Sequence, residues 1–131
     1  MAAISTYLAN KLLDHTLRNV AYTPPSTVYL ALYTSTPGAG DTGTEVSGGG
    51  YARQAVTFSP ASGGSGGQVV NSADVVFPVA TASWGTITHV GVRDAATGGN
   101  LLYYAALSTA KTIAAGDQIK FPAGQISFSM M

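Results

Sequence analysis

The hydrophobic period of this chain changes once, at Pro24-Pro25, and that change limits what it can fold into. Before the prolines, Ile4, Leu8 and Leu12 recur every four residues, and Leu13 and Leu17 continue the stripe one position round. Such spacing lays apolar side chains along one side of an α-helix. Ser5 or Thr6 can cap its start by accepting a hydrogen bond from a free backbone N–H. Asp14 and Arg18, four apart, suit a helical ion pair. Asn19 can end the helix, and the prolines forbid its continuation, so a helix is expected over about residues 5–19.

After Pro25 the period is two. In Thr27 to Tyr33, Val28, Leu30 and Leu32 point one way and Tyr29, Ala31 and Tyr33 the other. Both faces are apolar, which predicts a central strand buried on both sides. Further strands are expected over Tyr51–Ser59, Gln68–Val70, Val75–Val79, Thr86–Arg93 and Leu101–Leu107. In Thr86–Arg93, alternation sets Ile87, His89 and Gly91 against Thr88, Val90 and Val92. Ile119–Phe121 and Gln125–Met130 read as a last hairpin around Pro122-Ala123-Gly124. Pro78 suits a strand end, and Gly98-Gly99-Asn100 suits a turn that needs positive φ. Many short strands with frequent turns predict a mainly β fold, an antiparallel β-sandwich or barrel-like domain with one N-terminal helix. The length, 131 residues, suits one domain over residues 1–131. Two long Gly-rich loops interrupt it, at about residues 34–50 and 62–67. Loops of that kind are functional, ordered by a partner, or mobile.

Composition removes most chemistries. There is no cysteine, which excludes disulfides, thiolate metal sites and thiol nucleophiles. Lys+Arg is 6 and Asp+Glu is 6, so the basic excess that nucleic acid or an anionic membrane would require is missing. No apolar run approaches the ~20 residues of a spanning helix, and the N-terminus lacks a secretory signal's basic start and apolar stretch. Charged residues make up 9% of the chain, against about 25% in a typical soluble domain. Two surfaces fit that number: a coat of Ser, Thr, Asn, Gln and Gly, or faces covered by other protein chains.

Gly38-Ala39-Gly40-Asp41-Thr42-Gly43 fits G-x-G-x-x-G, but the residues that follow break helices. A dinucleotide site needs a helix there to face the pyrophosphate, so the glycines read as loop. Only His15 and His89 are present, too few and too far apart for zinc. No G-x-S-x-G elbow accompanies His89 and Asp94. Nothing singles out a carboxylate pair among six acids. The expectation is therefore a non-enzymatic protein with no catalytic residues, no metal and no cofactor. The candidate functional residues are interfacial: Gly48, Gly49 and Gly50, then Tyr51 and Arg53, with Trp84 beside Gly85. An aromatic and an arginine near a loop are typical interface anchors. The competing reading is that Tyr51 and Arg53 close a sheet edge and that Trp84 is core.

The series LLDHTLRN–YTPPSTVYLALYTSTP, GTEVSGGGYARQAVTF, NSADVVFP and WGTITHVGVRDAATGGNLLYYAAL resembles a family of small tailed-bacteriophage virion proteins, commonly labelled tail fibre proteins. GTEVSGGGYARQ at Gly43–Gln54 and GGNLLYY at Gly98–Tyr104 carry the likeness most specifically. The resemblance implies a virion structural protein made in the host cytoplasm. No long repetitive shaft is present, which turns the expectation toward a head decoration or cement protein. The alternative is a tail fibre or tail-tip protein that binds a receptor or glycan. The implied partners are the major capsid protein or tail proteins, with no nucleic acid and no membrane. A homo-oligomer is expected, and a trimer would match a capsid three-fold or a tail appendage. The Gly43–Arg53 loop is expected to order against a neighbouring chain.

Overall fold

The computed structural model describes residues 2–62 and 67–129. The elements in chain order are β1 (Ala2–Ile4), α1 (Thr6–Leu17), β2 (Val28–Tyr33), β3 (Gln54–Val56), β4 (Gln68–Val70), β5 (Val75–Val76), β6 (Gly85–Arg93), β7 (Leu101–Ile113), β8 (Lys120–Phe121) and β9 (Ser127–Ser129). One layer is a five-stranded antiparallel sheet in the order β1-β7-β6-β2-β3. Facing it are two separate two-stranded ribbons, β4-β9 and β5-β8. The mainly β, sandwich-like class with one helix near the N-terminus is therefore what the chain adopts.

The core lies between the layers. Leu30, Leu32, Val90 and Val92 from the large sheet meet Phe77, Phe121, Ile126 and Phe128 from the other side. Ring pairs lock this space, with Phe77 edge-on to Phe121 at 6.3 Å and Phe58 edge-on to Phe128 at 5.8 Å. Both faces of β2 are covered, as its two apolar registers predict. Its other face packs Ala31 and Tyr33 against Leu101 and Tyr104.

Helix α1 begins where the capping residue places it. Ser5 is the N-cap: its Oγ accepts from Leu8 N at 3.1 Å and donates to the Leu101 carbonyl. The helix ends at Leu17, with Asn19 at φ 57 just beyond. Of the apolar stripe, Leu8 is buried and Ile4 and Leu12 pack on the core, whereas Leu13 is 55% and Leu17 77% exposed. The continuation one position round leaves the buried arc.

Several expected boundaries shift for identifiable reasons. β1 has no sequence signal, since three residues give no period to read; its register pairs Ala2–Ile4 with Tyr103–Ala105. The strand expected over Tyr51–Ser59 shrinks to β3, because Tyr51 N bonds back to Gly48 O in a turn. β7 runs to Ile113 rather than Leu107. A register shift between Ile87 and His89 breaks strict alternation in β6, and Ile87 joins Val90 and Val92 in the core. Among the described residues of the expected last hairpin, Ile119–Phe121 and Gln125–Ser129 do not pair with each other. β8 joins β5 and β9 joins β4, and Asn71 holds the connection between them. Its buried side chain donates to Pro122 O and Ala73 O, both at 2.9 Å, and accepts from Ile126 N at 2.8 Å. Residues 63–66 of the second Gly-rich loop, and Met130, lie outside the described residues.

Candidate functional site

The strongest concentration of polar side chains sits at one end of the large sheet, where the segment after β2, the segment before β3 and the β6–β7 turn converge. Two arginines organise it. Arg53 makes a two-pronged contact with Glu45, Nε to Oε2 and Nη2 to Oε1, both at 2.8 Å. Its Nη1 donates to the carbonyls of Ala95 and Gly98, both at 2.8 Å. Arg93, at the end of β6, grips Asp41 in the same way at 2.7 and 2.8 Å. Its Nη2 also donates to Gly99 O at 3.0 Å, and its Nη1 to Tyr33 Oη at 2.9 Å. Planar guanidinium forks suit such paired acceptors, and charge-assisted bonds of this kind are about twice as strong as neutral ones. Both arginine side chains are under 10% exposed, at 8% and 9%.

The long segment 34–50 is therefore held within the chain. Thr34 N and Val46 N bond to Thr44 O and Leu32 O, extending the edge of β2. Val46 and Pro37 are buried. Asp94 closes the β6–β7 turn by accepting from Asn100 N at 2.7 Å.

Behind the arginines lies an aromatic brace. Tyr51 Oη donates to Glu45 Oε2 at 2.6 Å and accepts from Leu32 N at 3.0 Å. The Tyr51 ring stacks on Phe77 at 6.2 Å and meets Trp84 edge-on at 5.5 Å. Trp84 is buried in the core rather than exposed as an anchor, and its Nε1 donates to Gly49 O at 2.9 Å. Gly48, Gly49 and Gly50 all take positive φ, at 75°, 61° and 80°. At Gly49 a Cβ would lie 2.9 Å from Trp84 Nε1, so the turn needs both the backbone freedom and the missing side chain.

Burial raises the Glu45 carboxyl, but hydrogen bonds from Arg53 and Tyr51 outweigh it and leave the group below its ordinary value. Burial and the bond to Glu45 push the Tyr51 hydroxyl well up, so it stays a donor. The Arg93 guanidinium is raised by its bonds to Asp41 and Tyr33 against the cost of burial. Asp41 and Glu45 are each tied to an arginine. Among the described residues no group of three or more His, Asp or Glu could hold a metal. What the arrangement does is fix three backbone segments against one another. Their small, exposed tips, Ala39–Thr42 and Ala96–Asn100, then face outward.

The six sequence-derived residues thus fall together, in one loop and its brace. Sequence reasoning misses Tyr33, Asp41, Glu45 and Arg93. The available signal is scarcity: in a chain this poor in charge, an arginine closing an apolar strand must find a carboxylate.

The family model described as Podophage GP4 fiber I protein gp80 matches residues 3–129. No curated protein matches the chain.

Proposed function

The chain belongs to that podophage fibre family, a family of phage structural proteins, and from this premise we propose that it is a tail-fibre component, building the adsorption apparatus by protein–protein contact and not by catalysis. The match over residues 3–129 carries the reading. It favours the tail alternative over head decoration, for which no observation speaks. In this reading one domain, residues 1–131, is held rigid by the paired arginines. The tips at Ala39–Thr42 and Ala96–Asn100 meet a neighbouring virion protein or a second copy of the chain. Gly48 and Gly50, both exposed, would extend the contact over the turn that packs on Trp84. Tyr51, Arg53 and Trp84 support that surface from behind. A rigid surface suits the role, because ordering a loop on binding costs affinity.

Cryo-electron microscopy of the virion tests the proposal. Density for this chain in a few copies at the tail is the expected result. Many symmetric copies over the capsid lattice would overturn it. Native mass spectrometry of the purified protein tests the homo-oligomer, for which a trimer is the expected count.

A further inference from the structure

A second surface lies away from the arginine pair. Strand β7 is 13 residues long, but β1 covers its outer side only at Tyr103–Ala105. No described strand runs along that side from Ala106 to Ile113. On its inner side, the register steps from His89–Ala106 to Ile87–Lys111, so Leu107–Ala110 have no paired residue in β6. Backbone donors and acceptors along such an edge are a template for another strand. A groove of about 410 Å³ follows the edge, between this arm of β7 and residues 120–127. Val90, Leu107, Phe121 and Ile126 line it, and Lys111 and Lys120 stand at its sides with no carboxylate among its walls.

The charges then say what kind of strand fits. All six acids of the chain are engaged: Asp14, Asp41, Glu45 and Asp74 in ion pairs, and Asp94 and Asp117 with the backbone amides of Asn100 and Ala114. Five of the six cations are engaged too, four in those pairs and Lys11 over the Tyr7 ring. Lys111 is the exception among the described residues, exposed at the groove and without an anionic partner. Among the described residues, a second copy of this chain offers only carboxylates that already hold a cation or a backbone amide.

We propose that this groove receives an extended segment of a different protein, added as a strand along Ala106–Thr112. Its apolar side chains would lie over Leu107, Phe121 and Ile126, and a carboxylate would meet Lys111. The proposal does not depend on whether the protein sits at the tail or the head. Hydrogen exchange on the whole protein tests it with two short end-blocked peptides of alternating threonine and valine, one with a central glutamate and one with a lysine. The glutamate peptide should slow exchange at Ala106–Thr112, weaken as salt is raised, and lose about tenfold in affinity against Lys111→Glu. The lysine peptide should bind that variant instead. Because Lys111 is exposed, the variant keeps its fold, checked by circular dichroism. Equal binding of both peptides, protection elsewhere, or no protection at millimolar peptide would overturn the proposal. Self-association of the free protein along this edge would overturn it in favour of a second copy.

Discussion

At Gly91 the missing side chain is what lets the Tyr33 ring lie against the sheet. A Cβ there would come within 2.8 Å of Tyr33 Cε1 and 2.9 Å of Leu101 Cδ1. Gly91→Ala should destabilise the protein by about 1–3 kcal/mol, the cost of overpacking a filled core, read by urea unfolding. Glu45 makes a different prediction. Its carboxyl titrates lower in the folded chain than its ordinary 4.5, so the unfolded state binds the proton more readily. Its stabilising contribution is complete above the unfolded value and is lost as pH falls through the lower folded value. Thermal melts should therefore drop on acidification below about pH 4.5. Glu45→Gln should lower stability near neutrality and flatten that acid limb. Sequence composition locates these residues only incompletely. The glycine triplet and its Tyr51–Arg53 neighbours stand out in the chain, but Gly91 sits in an ordinary alternating strand. Only the tertiary positions of Leu101 and of Tyr33, diagonal to it on β2, make a glycine necessary.

At the scale of elements, Asn71 decides how the last third of the chain pairs. The turn residues Pro122-Ala123-Gly124 read as a hairpin, and Gln125 N does bond back to Pro122 O. Yet Asn71 bonds to both sides of that turn, which sends β8 and β9 to different partners. A single asparagine in a polar stretch gives no periodic signal, so the hairpin is the natural reading of the residues alone. Asn71→Ala should cost about 2–4 kcal/mol, since it leaves buried backbone groups unsatisfied. Exchange should rise first at residues 122–129. The helix shows the opposite case. Its caps and its Leu8 anchor are legible from spacing, because local chemistry sets them. Which flank of the stripe is buried is not, since that depends on where α1 meets β7. Leu13→Lys with Leu17→Lys should change stability by less than ~1 kcal/mol in denaturant titration, each exposed site lying within about 0.5.

For the whole molecule, the sandwich class is legible because strand period and turn residues are local properties. The division of the second layer into two ribbons is not, because strand pairing is a long-range choice. That division should appear in native-state exchange. Amides of β2 and β6, central in the large sheet, should exchange slowest, and those of β5 and β8 fastest among the strands. The ribbons are held by three and two residue pairs respectively, against five between β2 and β6. For the tail-fibre role proposed above the asymmetry has a mechanical meaning, because such an apparatus is tugged when a particle meets its host. A load applied across a short ribbon is borne by only two or three rungs. The same load applied across β2 and β6 is borne by five. The molecule would then yield in its thin layer first, stretching there like a fuse while the broad sheet and its arginine-held tips keep their shape.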